Sequence, residues 1–309
     1  MFRNLDELVE GARRLPPARI AVVAGHDVDA IEALEQARGL GLAEGIFVGD
    51  ADRIADAVAK AGVEVAAERI IREPDEAAAA RRALALVREG AADLLMKGKI
   101  GTGALMRAVL DRESGLRAGR LLSQVIVFQV PGFNRLMLMT DAAINIAPTL
   151  EQKADICRNA IDLAIALGVE RPKVAILAAV ETVTSKMPAT LDAAALCKMA
   201  ERGQIRGAVL DGPLAFDNAI SKEAARMKGI RSEVAGDPDI LLVPDLEAGN
   251  MLAKQLSFLA NADSAGLVLG ARVPIILTSR ADTVRSRIAS CAVAMLVAHA
   301  RRQGTKSAV

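Results

Sequence analysis

Short apolar runs alternate with longer stretches in which alanine and leucine recur every three or four positions. Ile20-Ala-Val-Val-Ala24, Ile46-Phe-Val48, Arg69-Ile-Ile71 and Asp93-Leu-Leu-Met96 read as strands. The patterns over 28–38, 51–61, 75–89 and 103–110 read as the helices between and after them. Strands at 125–130 and 136–139 follow, with Pro131-Gly132 between them, which predicts an antiparallel hairpin. A second alternation starts after Thr140-Asp141. Helices are predicted over 150–167, 191–202, 220–228 and 248–259, and strands over 174–179, 208–210, 240–243 and 267–269. Strand 274–278 and helix 283–302 close the pattern. Such βα alternation implies an α/β fold, with a mainly parallel sheet covered by helices on both faces.

With 309 residues the chain has room for two domains and a large core. Hydrophobic residues make up 52% and charged residues 25%, the balance of a globular protein. The net charge of +1 gives no field that would gather nucleic acid or a membrane surface. There is no Trp and no Tyr, so the stacking platforms that grip single strands are missing. No apolar run approaches the roughly 18 residues of a membrane helix. The opening MFRNLDELVEGARRLPP carries acids and lacks an apolar signal core, so a cytoplasmic location is expected. Cys157, Cys197 and Cys291 all fall in helical patterns, which predicts buried structural thiols. His26 and His299 stand at opposite ends of the chain, too far apart in sequence to suggest a His-based metal site. No metal is expected.

In open α/β sheets, ligands sit beyond the carboxyl ends of the strands. The segment Pro274-Ile-Ile-Leu-Thr-Ser-Arg-Ala-Asp-Thr283 delivers a hydroxyl and an arginine to a helix start. Free N–H groups and the helix dipole favour an anion there, and Arg280 adds a planar fork suited to phosphate. Met96-Lys-Gly-Lys-Ile-Gly-Thr-Gly103 puts glycines and two lysines at another strand-to-helix turn. It has neither the Walker order nor G-x-G-x-x-G. Glu181–Thr190, Asp211–Asp217 and Pro244–Asn250 each follow a predicted strand. Asp211 and Asp217 could bind a metal, take a proton or cap a helix; Asp245 is expected to cap, and Asn250 to reach a ligand.

Taken together in this order, KGKIGT (97–102), ETVTSKMPAT (181–190), DGPLAFD (211–217), PDLEAGN (244–250) and LTSRADT (277–283) resemble the phosphate acetyltransferase and phosphate butyryltransferase family. The TSRAD and ETV…KMPAT forms look closer to its butyryltransferase branch. The resemblance implies two α/β domains of the isocitrate/isopropylmalate dehydrogenase type with the active site in the cleft between them. The first domain would be discontinuous, 1–140 plus 274–309, and the second 141–273. The implied reaction is acyl-CoA plus phosphate to acyl phosphate plus CoA, with a short acyl group, butyryl-like or acetyl. Acyl-CoA and inorganic phosphate are then the partners, coenzyme A is a substrate or product, no cofactor is tightly bound, and a homodimer is expected.

On this reading the catalytic candidates are Ser279, Arg280 and Asp282, and the candidate substrate contacts are Lys97, Gly98, Lys99, Thr102, Glu181, Asp211 and Asn250. Arg280 would orient phosphate; Ser279, with Lys97 or Thr102 as alternatives, would face the developing oxyanion. The acetyltransferase branch implies a catalytic Asp seven positions beyond the Ser of the Ser-Arg pair. Here that position is Ser286, which cannot be the base. Asp282 is the substitute, or else the helix N-cap. Two other functions compete: a nicotinamide-dependent β-decarboxylating dehydrogenase of the same fold, which would want a Tyr or Lys acid and a metal-binding Asp cluster, and a non-catalytic acyl-CoA or phosphate-binding protein.

Overall fold

The computed structural model describes residues 2–279 and 282–304. In chain order the elements are α1 (Leu5–Ala12), β1 (Ala18–Val23), α2 (Val28–Gly39), β2 (Ala43–Gly49), α3 (Ala51–Ala61), β3 (Ile70–Arg72), α4 (Glu76–Arg88), β4 (Leu94–Lys97), α5 (Thr102–Val109), β5 (Ser123–Gln129) and β6 (Leu136–Thr140). There follow α6 (Leu150–Ala166), β7 (Lys173–Leu177), α7 (Pro188–Glu201), β8 (Val209–Leu214), α8 (Phe216–Ile220), α9 (Lys222–Met227), β9 (Ile240–Leu242), α10 (Leu246–Phe258), β10 (Asp263–Leu269), β11 (Ile275–Ile276) and α11 (Val284–Arg302). The chain divides into two compact units, Leu5–Arg120 with Ser264–Arg302, and Leu121–Asp263. The sequence reading set the crossings at 140/141 and 273/274; packing sets them at 120/121 and 263/264.

The first unit carries the strand order β3-β2-β1-β4-β11-β10. All its pairs run parallel except β10 with β11. Ile20, Val22, Phe47, Leu94, Leu95 and Ile276 are fully buried, as expected of strands covered on both faces. Asp27, Asp50 and Asp75 each accept a backbone N–H and start α2, α3 and α4. α11 is buried on nearly every side from Ser286 to Ala298 and packs against α1 and α2. Such a helix shows no amphipathic stripe, yet its length and lack of breakers identify it. α1, which the sequence reading left unassigned, buries Leu5, Leu8 and Ala12.

The second unit has the order β5-β6-β9-β7-β8. The expected hairpin is present: β5 and β6 pair antiparallel, and Phe133 N–H donates to the Val130 carbonyl at 3.0 Å across Gly132, whose φ of 88° suits glycine. The other pairs are parallel. Phe128, Met137, Met139, Leu177, Leu214 and Leu241 lie in its core. Thr149 and Gln152 close a reciprocal capping box on α6. Three expectations change here. β8 runs on through Asp211 to Leu214, because its pairing with β7 continues to Leu177. The helix expected over 220–228 is two short ones, since Ser221 leaves helical geometry to cap α9. α7 starts at Pro188 rather than 191, because proline suits the first helical position. The antiparallel β10–β11 pair was not foreseen either, as β11 is only two residues long.

Gly98 shows how tightly the first unit is assembled. A Cβ there would lie 2.5 Å from the carbonyl oxygens of both Val23 and Ala24. Gly103, one helical position into α5, faces open space apart from Arg107 at 3.7 Å. Gly98→Ala is therefore expected to destabilise by roughly 1–3 kcal/mol as the strands are forced apart. Gly103→Ala should stabilise by about 0.5–1 kcal/mol through helix propensity. Urea unfolding of the two variants checks both signs; equal midpoints would refute the steric reading.

Candidate active site

In the first unit, β3, β2, β1, β4 and β11 run parallel, so their carboxyl ends share one edge. The β4–β11 register pairs Leu95 with Ile275 and Met96 with Ile276. Continuing it sets Leu277 beside Lys97 and Thr278 beside Gly98. Two segments more than 170 residues apart thus leave adjacent strands and enter α5 and α11. Lys97, Gly98, Lys99, Thr102, Ser279 and Asp282 all belong to this edge. Arg280 lies outside the described residues.

Each candidate can be placed. Lys97 is half-buried, with its ammonium donating to the Gly98 carbonyl at 3.2 Å. The Gly98 and Lys99 N–H groups donate to Val23 and Ala24, so this loop is an extension of the sheet. The close approach of the Val23 and Ala24 carbonyls requires a glycine at 98 whatever it contacts in a substrate. The Lys99 side chain is exposed. Thr102 opens α5, and the preceding Gly101 offers no side-chain cap, so first-turn N–H groups have no acceptor from it.

Ser279 is exposed, and both its backbone groups are committed. Its N–H donates to Asp282 Oδ2 at 2.6 Å, and its carbonyl accepts from the Asp282 N–H at 3.2 Å and from Arg287 Nη2 at 3.2 Å. Any donor that Ser279 offers to a substrate is therefore its hydroxyl. Asp282 is not the cap of α11. Thr283 Oγ1 accepts the Ser286 N–H at 3.2 Å, and the Thr283 carbonyl takes the first helical bond from Arg287. The Ser286 hydroxyl lies 3.2 Å from Thr283 Oγ1 and is buried, a place for a helix-start contact and not for a base.

Two further groups stand at this edge: Arg287, which the sequence did not single out, and His26, whose place after a strand suggested a loop role or a ligand mouth. Arg287 reaches back to Thr278 Oγ1 at 2.8 Å and to Asp29 at 3.3 Å. An arginine inside an otherwise alanine-rich buried run was the available signal. His26, just past β1, has a buried Nδ1 with no partner among the described residues. Burial lowers its pKa, and Arg53 and Lys99 lower it further against Asp50 and Asp27. That favours the neutral imidazole.

The second unit presents its own carboxyl edge, from β6, β9, β7 and β8. Glu181, beyond β7, accepts from Lys228 at 3.1 Å and from Asn218 at 3.3 Å. The Lys228 hydrogen bond leads in holding its carboxyl below the usual range. Asp217 pairs with the same lysine at 3.2 Å and lies in the first turn of α8, whose N-cap is Ala215. Asp211 sits within β8 and accepts its neighbour Gly212 N–H at 2.9 Å; it does not lie in a loop. Asp245 caps α10, as expected. Asn250 donates to the Ala142 carbonyl at 3.2 Å, a contact within the unit. It helps hold the turn at Asp141, whose buried carboxylate collects N–H groups from Ala143, Ile144 and Asn145. Burial outweighs those donors and raises its pKa. Burial also pushes the thiols of Cys157, Cys197 and Cys291 up to about 12, so none is a ready nucleophile. Among the described residues no cluster of three or more His, Cys, Asp or Glu is arranged to hold a metal ion, and no helix is long and apolar enough to cross a membrane.

A family model described as phosphate acetyl/butaryl transferase matches residues 51–295. A phosphate acetyltransferase of Rhizobium meliloti is 55% identical over 98% of this chain and 96% of its own length. A phosphate butyryltransferase of Clostridium acetobutylicum is 43% identical over 96% of this chain and 99% of its own. The crystal structure of a branched-chain phosphotransacylase from Enterococcus faecalis V583 superposes with a TM-score of 0.79 at 31% identity, covering 91% of this chain and 99% of that one. These likenesses favour acyl transfer over the dehydrogenase and binding-protein alternatives. The chain belongs to the phosphate acetyl/butyryltransferase family and is a phosphate acyltransferase, an enzyme that interconverts acyl-CoA plus phosphate with acyl phosphate plus CoA.

Proposed function

We propose that the reaction takes place at the shared carboxyl edge of β4 and β11, on a short acyl group, butyryl or acetyl. The observation that supports this is the β4–β11 register, Leu95 with Ile275 and Met96 with Ile276, beyond which Lys97–Thr102 leads into α5 and Thr278–Ser279 leads toward α11. Phosphate is held by Arg280 and oriented toward the thioester carbonyl. A phosphate oxygen attacks the carbonyl carbon, and the carbonyl electron pair moves onto oxygen. The Ser279 hydroxyl, with Lys97 and Thr102 near the same edge, offers donors to that oxyanion. The carbonyl re-forms as the carbon–sulfur bond breaks, giving acyl phosphate and a CoA thiolate. A thiol with a pKa of about 8.5 leaves readily as thiolate, so the forward reaction needs little acid catalysis. In reverse, Asp282 takes the thiol proton.

The TSRAD and ETV…KMPAT forms point to butyryl, whereas the 55% identical relative is named for acetyl. Phosphate-dependent thiol release from a series of acyl-CoA lengths, with EDTA present, tests the function; no release from acetyl-CoA or butyryl-CoA would overturn it. We further propose that the enzyme is a cytoplasmic homodimer of isocitrate/isopropylmalate dehydrogenase-type domains. The discontinuous first unit supports the domain type. Met251 and Phe258 on α10 and Leu259 just after it, 61%, 65% and 81% exposed, support a subunit contact. A light-scattering mass of one chain would count against the dimer.

Arg280→Ala should remove most activity and raise the KM for phosphate more than that for acyl-CoA. A lost charge-assisted contact costs on the order of 2–4 kcal/mol in the transition state, roughly 30- to 1,000-fold in kcat/KM. Arg280→Lys should recover only part, because an ammonium lacks the fork. Wild-type kinetics in either variant, with an intact circular dichroism spectrum, would refute the assignment.

Asp282→Asn keeps an acceptor for the Ser279 N–H but cannot take a proton. Thr283 still caps α11, so the melting temperature is expected to stay nearly unchanged. The reaction from acyl phosphate and CoA should slow, and the defect should shrink as pH rises through the thiol pKa and CoA ionises unaided. A flat ratio to wild type across that range would remove Asp282 as the base.

A further inference from the structure

Arg287 is a cation buried where little pairs with it. It stands in the first turn of α11 and is 2% exposed. Nη1 donates to Thr278 Oγ1 at 2.8 Å, inside the protein. Nη2 donates to the Ser279 carbonyl at 3.2 Å and to Asp29 Oδ2 at 3.3 Å. Nε is buried without a partner among the described residues. Among the described residues its one opposite charge is Asp29 in the first turn of α2, which is 55% exposed and screened by water. Burying a guanidinium with so little compensation is costly, and an apolar side chain of similar size would stabilise at least as well. Fold stability alone is thus a poor account of an arginine at 287.

What the side chain grips is specific. Its two terminal nitrogens take consecutive residues just beyond β11: a hydroxyl from Thr278 and a backbone carbonyl from Ser279. Asp282 takes the N–H of the same serine. The peptide group before Ser279 is therefore fixed by a carboxylate, and the one after it by a guanidinium. The peptide that Arg287 holds is the one linking Ser279 to Arg280.

We propose that Arg287 is a positioning residue for phosphate acyl transfer. Its fork fixes the Ser279 backbone, and with it the direction in which the Ser279 hydroxyl leaves the chain, and Thr278 is its anchor. The inference rests on the reading of Ser279 and Arg280 as the reaction site. A planar fork holds both acceptors at once; an ammonium at the same place keeps the charge and can hold one of them. Misplacing a reacting group by about 1 Å can cost roughly a hundredfold in rate.

The test is steady-state kinetics of Arg287→Met, Arg287→Lys and Thr278→Val beside Arg280→Ala, with butyryl-CoA or acetyl-CoA and inorganic phosphate. All are assayed well below their melting temperatures. Arg287→Met is expected to lower kcat on the order of a hundredfold, and Arg287→Lys to recover part of that loss. Thr278→Val keeps the cation and the shape of the threonine. It should lower kcat by roughly three- to tenfold, with the KM for acyl-CoA within about twofold of wild type. Should Arg287→Met fail to fold, Thr278→Val and Arg287→Lys carry the test. Wild-type kcat in both, with Arg280→Ala inactive, overturns the positioning role and leaves the site reading intact. A KM for acyl-CoA that rises in step with the fall in kcat marks general distortion and overturns it too. Full activity in Arg280→Ala removes the site reading, and this inference with it.

Discussion

The pairing of β11 with β4 is the interaction on which the candidate site depends. β11 is only two residues long, and Ile275 and Ile276 face Leu95 and Met96 across a parallel register. Without that pairing the 97–102 loop and the Thr278–Ser279 segment would have no common frame. So short a strand cannot hold itself. Antiparallel β10 lies on its other side, and α11 packs against it from the face. All four residues of the β4–β11 register are fully buried. The apolar burial that stabilises this part of the sheet is thus also what aligns the polar ends of its strands.

Directly beyond β11 the chain changes from apolar pairing to a dense set of local polar contacts. Asp282, Thr283, Ser286 and Arg287 together serve the backbone of 279, the N-terminus of α11 and one another. This explains why the segment resists a residue-by-residue transfer of roles from the acetyltransferase pattern. A serine at 286 suits the buried start of α11, where a carboxylate would need donors that Thr283 is already using. The acid at 282 faces the strand end instead, in contact with the residue assigned to the chemistry.

Much of this architecture could be read from the chain. Strand–helix alternation located nearly every element, because strands buried on both faces are continuous apolar runs. α1 was harder to see, since its eight residues bury only Leu5, Leu8 and Ala12. The extent of β8 was hidden because Asp211, Gly212 and Pro213 all look like loop residues, and only the ladder with β7 holds them extended. Among the site candidates, those beside β4 and β11 stood out because polar residues and glycines follow apolar strands directly, and the parallel register sets both strand ends on one edge. Glu181, Asp211 and Asn250 are different. Their sequence context looked equally open, yet each already has a contact within its own unit. Arg287 was missed because its partners, Thr278 and Ser279, are neighbours only once α11 folds back on β11.

The chemistry accounts for the residues this site does without. A thiolate is a good leaving group and phosphate is already an anion, so little proton transfer is required in the forward direction. The reaction instead needs charge to hold phosphate, donors to meet an oxyanion, and an arrangement rigid enough that both act together. A chain with two histidines and three cysteines whose thiols are too basic to react is suited to that demand. Rigidity then becomes the scarce property, because the strand that presents Ser279 is so short. In the positioning role proposed for Arg287, a buried guanidinium that takes the Thr278 hydroxyl and the Ser279 carbonyl would supply it at the point where the sheet hydrogen bonds run out. The cost of burying that charge is the physical reason to attribute to Arg287 a part in the reaction.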